Sequence, residues 1–359
     1  MIILDNIIFN LQKTGGISVV WSELITGILN SDLDFLCLEY NSTNNLCRNK
    51  INLPSKNISH HSYPLLPVQR YFNPVIKQTT PFIFHSSYYR YSTNRNAVNI
   101  TTVHDFTYEY FVKGLAQKIH SHQKKKAVDN SDGIICISEN TKKDLLKFYP
   151  KTQEDKIKVI YNGVNNCFTP LEDLSELRTL IPFEEKSFLL YIGNRTSPYK
   201  NFNETVKIAR LAKMPLVIVG NEAHEQERKE LNELLGKENY ILLSNLDAKK
   251  INLLYNAAFC LLYLSVYEGF GIPIVEAQRA NCPVLCLNTS SIPEVAGNGA
   301  IVLEKFDVQN TTNIIQEMKN GRIDIAAIVK KGNENSLRFS WEKTYCQTMD
   351  FYKIFNSIK

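Results

Sequence analysis

No stretch of this chain stays apolar long enough to cross a bilayer. The longest such run, around 257–267, falls short of the roughly 20 residues that a spanning helix needs. Charge of one sign is not in large excess either. The formal net charge of +5 suits an anionic small molecule or an anionic membrane surface and does not call for nucleic acid. The opening residues, Met1 to Asn6, lack the basic and apolar regions of a secretory signal, so a cytoplasmic protein is expected. The cysteines lack metal spacing: Cys282 and Cys286 form the only close pair, with no Cys or His partners placed for zinc. Asp32 and Asp34 spell D-x-D, but at a helix end before a strand, and read as solvated residues; no metal is expected. What remains is an ordinary globular composition, 44% hydrophobic and 21% charged, over 359 residues, a length that suits two domains.

The most informative stretch is Ser265 to Arg279. It follows an apolar run, Phe259 to Ser265, of the length and β-rich content of a buried parallel strand. Gly269 and Gly271 then allow a tight turn, and Pro273 stands where the first turn of a helix tolerates proline. The first N–H groups of such a helix lack partners and its dipole concentrates positive charge there, so an anionic or polyhydroxylated ligand fits that end. Glu268 in the turn and Glu276 one turn into the helix flank the mouth. Carboxylates so placed are expected to ionise readily and to accept hydrogen bonds from sugar or ribose hydroxyls. The same residues also allow Glu268 to be a helix cap and Glu276 a solvated acid. A dinucleotide site is opposed by Ile274, which occupies the third glycine's place, and by Asn288, which ends the next strand where a ribose-binding acid belongs.

Elsewhere strands and helices alternate, as in a parallel doubly wound sheet. Met1 to Phe9 reads as a strand, and Gly15-Gly16 opens an amphipathic helix. Residues 41–80, broken by Pro54, Pro64, Pro67 and Pro74, read as loop. Pro81 to His85 and Val98 to Asp105 read as buried strands, the second ending in His104-Asp105, where Asp105 could orient the imidazole or simply cap the next segment. A helix is expected over 113–129, with Lys124 to Lys126 either a solvated face or a basic patch for an anionic membrane. Ser138 caps a helix after the strand that starts at Gly133. Past a further strand, Phe188 to Gly193, the loop from Asn194 to Asn201 carries Arg195 and Lys200. Together they can neutralise a diphosphate, unless they are a plain surface pair.

Glu268 and Glu276, with seven residues between them and Gly-Phe-Gly inside, resemble the E-x7-E motif of the retaining glycosyltransferases of family 4, which have the GT-B fold. The Gly15-Gly16 pair, the Thr-Val-His-Asp strand end, the Gly193-x-Arg195 to Lys200-Asn201 loop and the Ser290-x-x-Pro-Glu-x-x-Gly297 turn resemble that family too. The resemblance covers nearly the whole chain. It implies an α/β protein of two Rossmann-like, doubly wound parallel-sheet domains facing across a cleft. Residues 1–168 would be the acceptor side, 169–186 a linker and 187–339 the nucleotide-sugar domain, with the helix of 340–359 crossing back onto the first domain.

By the same resemblance, Glu268, Arg195, Lys200 and His104 are expected to be catalytic. Donor contacts are expected from Gly15, Gly16, Asn194, Asn245, Leu246, Gly269, Phe270, Gly271, Ile272 and Glu276, the last on the ribose. The implied reaction moves a hexose, mannose or a related sugar, from a UDP- or GDP-sugar to a saccharide or lipid-linked acceptor. Retention of configuration and no cofactor or metal are expected, in surface polysaccharide or O-antigen assembly at the inner face of a membrane. A GT-B epimerase or phosphorylase, or a non-catalytic nucleotide-sugar binder, would share such a site.

Overall fold

The computed structural model describes residues 1–40, 43–61, 68 and 70–356. Residues 41, 42, 62–67, 69 and 357–359 lie outside the described residues. They include Pro64 and Pro67 of the expected loop and the last residues of the expected terminal helix. The chain forms two compact units, Met1–Gly163 with Ser340–Lys359, and Val164–Phe339.

The first unit is built on a parallel sheet of β1 (Ile2–Asp5), β2 (Phe35–Tyr40), β3 (Ile58–His61), β4 (Phe82–Ser86), β5 (Ala97–Val103), β6 (Gly133–Cys136) and β7 (Ile157–Val159), in the order β3-β2-β1-β4-β5-β6-β7. The central strands are buried on both faces, as in sheets covered by helices on both sides. β3 corrects the expectation of loop throughout 41–80. Its Ile-Ser-His-His sequence shows little apolar character because an edge strand needs only one covered side, and it pairs with Cys37 to Tyr40 of β2. The helix Trp341–Asn356 belongs to this unit. Its Met349, Phe351 and Tyr352 are buried with Trp21, Ile25 and Ile28 of the helix Gly16–Leu29. The two helices pack so closely that a Cβ on Gly27 would overlap the Tyr345 ring.

The second unit repeats the arrangement with β8 (Leu189–Ile192), β9 (Leu216–Val219), β10 (Tyr240–Leu243), β11 (Cys260–Tyr263), β12 (Val284–Leu287) and β13 (Ile301–Leu303), ordered β10-β9-β8-β11-β12-β13 and wholly parallel. Residues 169–186 are part of this unit. The backbone N–H groups of Thr169 and Leu171 donate to Asn252 and Asn256 at 3.1 and 2.8 Å. Both sheets therefore have the doubly wound strand order, with one point in each where the direction of winding reverses.

Candidate active site

In open α/β sheets ligands collect where the winding reverses, off the carboxyl ends of the strands. In the second unit that point lies between β8 and β11, and the loops 193–201 and 264–271 leave it. Three bonds tie these loops together. Val266 N–H donates to the Tyr199 carbonyl at 2.9 Å, Asn201 Nδ2 to the Leu264 carbonyl at 2.8 Å, and Lys200 Nζ to Glu268 Oε1 at 2.5 Å. The structure thus brings Lys200 and Glu268 together from 68 residues apart. Both are largely buried, at 16% and 13% exposed. The ammonium also stands 5.6 and 5.8 Å from the ring centres of Tyr199 and Tyr263. Tyr263 hydrogen-bonds Glu268, and burial followed by the nearby carboxylate keeps its phenol un-ionised.

The backbone of the Glu268 turn is held by the segment that follows β12. Glu268 N–H donates to Ser290 Oγ at 2.9 Å, and the fully buried Ser291 hydroxyl lies 2.9 Å from the carbonyl oxygens of both Glu268 and Phe270. Thr289 donates to the Ser265 carbonyl at 3.1 Å. Gly271 then adopts φ +106°, a conformation glycine takes at little cost, and starts the helix Ile272–Arg279 with Pro273 in its first turn and no side-chain cap. Phe270 is buried edge-on against Phe339, and Ile272 is half-buried.

Arg195, the loop's other cation, is paired from outside the loop. Its Nε donates to Glu227 Oε1 at 2.5 Å, on the helix Glu225–Leu235, and its Nη2 to the Asn221 carbonyl at 2.7 Å. Its Nη1 is buried with no hydrogen-bond partner among the described residues. Each cation therefore has its own carboxylate, and these four charges sum to zero.

Glu276 corrects the expectation of ready ionisation. Its Oε2 accepts from the Tyr255 hydroxyl at 2.9 Å, yet burial pushes its pKa from 4.5 up to about 7. A dipole contributes about 0.3–1 kcal/mol at a helix start, whereas a shift of that size corresponds to roughly 3 kcal/mol. Desolvation wins, although Glu276 is half-buried rather than part of the helix's packed face. Asn194 is exposed and accepts from the Thr196 N–H and hydroxyl at 3.2 and 2.9 Å. Asn245, at φ +53°, is exposed after β10, and the neighbouring Leu246 is half-buried.

The first unit holds the other expected residues. Gly15 precedes the helix Gly16–Leu29, and a Cβ on Gly16 would meet nothing within 4 Å. His104, just past β5, is buried, its pKa lowered to about 4 by desolvation, and lines a small cavity beside Glu23, Asn162 and Trp341. Asp105 accepts the Thr107 N–H at 2.9 Å, capping the next turn. Lys124 does not belong to a solvated basic run. It is fully buried, with Nζ donating to the Asp105 carbonyl at 2.8 Å and to Glu109 Oε2 at 2.7 Å. The point of reversal in this sheet, between β1 and β4, is occupied by a completely buried ion pair. Asp5 there accepts from Arg90 Nε at 2.8 Å, Arg90 Nη2 at 2.7 Å and Ser86 Oγ at 2.7 Å. Asp32 and Asp34 are exposed between the helix Gly16–Leu29 and β2. Among the described residues no helix is long and apolar enough to cross a membrane.

Two doubly wound domains, the second with an acid–glycine turn over a lysine at its point of reversal, define a GT-B glycosyltransferase. Models of known families match both halves of the chain: "Glycosyltransferase Family 4" over residues 14–166 and "Glycosyl transferases group 1" over 175–335. The chain belongs to these family-4-like glycosyltransferases. It is 26% identical over 292 residues to the O-antigen chain mannosyltransferase B of Escherichia coli, covering 76% of this chain and 74% of that protein. Among solved structures it resembles a sucrose-phosphate synthase from Thermosynechococcus elongatus, with TM-score 0.77, 18% identity and coverage of 100% and 99% of the two chains. It also resembles Anabaena Alr3699/HepE in complex with UDP-glucose, with TM-score 0.71, 16% identity and 99% of each chain covered.

Several residues that shape this site carry no signal in the sequence. Glu227, Tyr255, Tyr263 and Ser291 lie in unremarkable helical, strand or turn contexts. Their partners are 32, 21, 5 and 23 residues away, so only folding assigns them.

Proposed function

We propose that this chain transfers a hexose, mannose or a close relative, from a nucleoside diphosphate sugar to a saccharide or lipid-linked acceptor with retention of configuration, in surface polysaccharide assembly. The observation that carries this reading is the Lys200–Glu268 pair held over the Gly269–Gly271 turn. The O-antigen mannosyltransferase relative supports the sugar and the setting, and the UDP-glucose bound by a protein of the same fold supports the donor class.

In this reading the diphosphate takes Lys200 Nζ from Glu268 and occupies the unpartnered Arg195 Nη1. Glu268, with the main chain of Gly269 to Ile272, is then left to accept from the sugar hydroxyls, and Glu276 accepts from the ribose. As the bond from sugar to phosphate breaks, negative charge grows on the leaving diphosphate, and the Lys200 ammonium and Arg195 guanidinium, already turned to it on binding, stabilise it. The acceptor hydroxyl attacks from the face the diphosphate leaves and gives its proton to the departing phosphate. The base rests on main chain near Asn245 and Leu246, which leaves UDP and GDP both open. No metal is invoked: Lys200 and Arg195 supply the donors to the diphosphate.

Product analysis with UDP- and GDP-hexoses, with and without a saccharide acceptor, tests the proposal. Transfer only in the presence of acceptor, giving the donor's anomeric configuration, is the expected result. An altered sugar still on its nucleotide would mean an epimerase. Binding with no nucleoside diphosphate released would mean a sensor.

A further inference from the structure

The helix Glu225–Leu235 carries four glutamates, and three of them are exposed. Glu227 is the exception, with 21% of its side chain accessible. It stands four residues before Leu231, so the two share one face of the helix. Leu231 and Leu235 are buried in the core of the second unit and anchor the helix there. Glu227 is not part of that core. Its carboxylate is turned onto the loop that follows β8.

What it meets there is one edge of the Arg195 guanidinium. Oε1 accepts from Nε at 2.5 Å, Oε2 accepts from Nη2 at 3.3 Å, and the Asn221 carbonyl accepts from Nη2 at 2.7 Å. An arginine offers its N–H groups in a planar fork, and these bonds use up one side of it. Nη1, on the other side, is buried with no partner among the described residues. Gly220, just past β9, leaves room for that side: a Cβ there would stand 2.9 Å from Nη1 and 2.5 Å from the Gly193 carbonyl oxygen. An ion pair built for stability alone would not leave a donor of a 3%-exposed cation dry, because an unmet buried donor is destabilising.

We propose, resting on Arg195 as a contact of the donor diphosphate, that Glu227 is a positioning residue for the donor site: it does not touch the donor but fixes the guanidinium so that Nη1 is presented to the phosphate oxygens. Charge and geometry predict opposite outcomes for the loss of this carboxylate. As a counter-charge only, Glu227 offsets the cation, and its removal would tighten anion binding. As the group that orients the fork, it is needed for binding, because an arginine released from its partner must be ordered again each time a phosphate arrives.

Calorimetric titration of the full chain with UDP and with GDP tests this, on wild type, Arg195→Ala, Glu227→Ala, Glu227→Gln and the double variant Arg195→Ala/Glu227→Ala. Glu227→Ala should weaken nucleotide binding by about tenfold, the scale of coupling between residues of one buried network. Glu227→Gln keeps an oxygen for Nε and should recover part of that loss. In the Arg195→Ala background, Glu227→Ala should change nothing further. In turnover, the KM for the sugar nucleotide should rise while that for the acceptor stays. Tighter or unchanged binding by Glu227→Ala, or a full additional loss in the double variant, would overturn the proposal and leave Arg195 in its role. So would a lowered melting temperature with wild-type affinity, which would make the pair structural only. Unchanged binding by Arg195→Ala would remove the diphosphate contact itself, and the proposal with it.

Discussion

Lys200 is the residue on which the proposed chemistry turns. Its ammonium is held by Glu268 and two tyrosine rings at a switch point, and removing it leaves the fold's core untouched. Lys200→Ala should therefore lower kcat by about 10²–10³, the usual cost of losing one preorganised charge-stabilising donor, while the melting temperature stays near that of wild type. Steady-state rates and a thermal melt together check this, and wild-type turnover would remove Lys200 from the mechanism. Glu276 offers a pH signature. Burial raises its pKa from 4.5 to about 7, so the folded protein keeps a proton that the unfolded chain gives up. Below pH 4.5 both states are protonated and the group costs nothing; as pH climbs through about 7 the folded state must bury a charge and loses stability. Glu276→Gln should accordingly gain on wild type as pH rises from 5 to 8, by less than about 3 kcal/mol because the carboxylate is not fully buried. A difference in melting temperature that does not vary with pH would contradict this.

At the scale of elements, the donor turn is positioned from outside itself. The Ser290-Ser291 turn after β12 holds the backbone on both sides of Gly269 through hydroxyl groups, one of them wholly buried. Ser291→Ala removes the one hydroxyl proton that the Glu268 and Phe270 carbonyls share, which should cost about 1–3 kcal/mol and raise the KM for the donor more than that for the acceptor. Calorimetry and donor titrations would show it, and an unchanged donor KM would mean the turn keeps its shape alone. The turn's own outline was legible in the sequence, since Glu268, the glycines and Pro273 lie within six residues of one another. Its clamp was not, because the serines stand more than twenty residues on and look like any polar turn. The partner of Arg195 was hidden for the same reason: its loop announces a cation, and nothing near it announces Glu227.

At the scale of the whole molecule, the chain's end is part of its beginning. The helix Trp341–Asn356 fills the core of the first unit, and Tyr352 OH lies 2.5 Å from His85 Nδ1 while Thr102 Oγ1 holds the other ring nitrogen at 2.8 Å. Deleting residues 341–359 should leave the first unit insoluble or molten, since burying even one such large apolar side chain is worth about 1.5–3 kcal/mol and this helix buries several. Near-ultraviolet circular dichroism and the soluble yield of the truncated chain test it; a truncated protein with native melting would be incompatible with this packing.

Periodicity and local motif, both properties of near neighbours, were enough for the sequence alone to specify two doubly wound parallel sheets, the acid–glycine turn and its lysine-bearing partner loop. Only the tertiary structure decided that Lys200 meets Glu268, that Arg195 is matched by Glu227, that Glu276 is desolvated, that Lys124 turns inward and that the Asp5–Arg90 pair fills the first sheet's point of reversal. Those outcomes depend on burial and on partners distant along the chain. Charge state and pairing are set by what surrounds a side chain in space, and a linear sequence does not contain that until it folds.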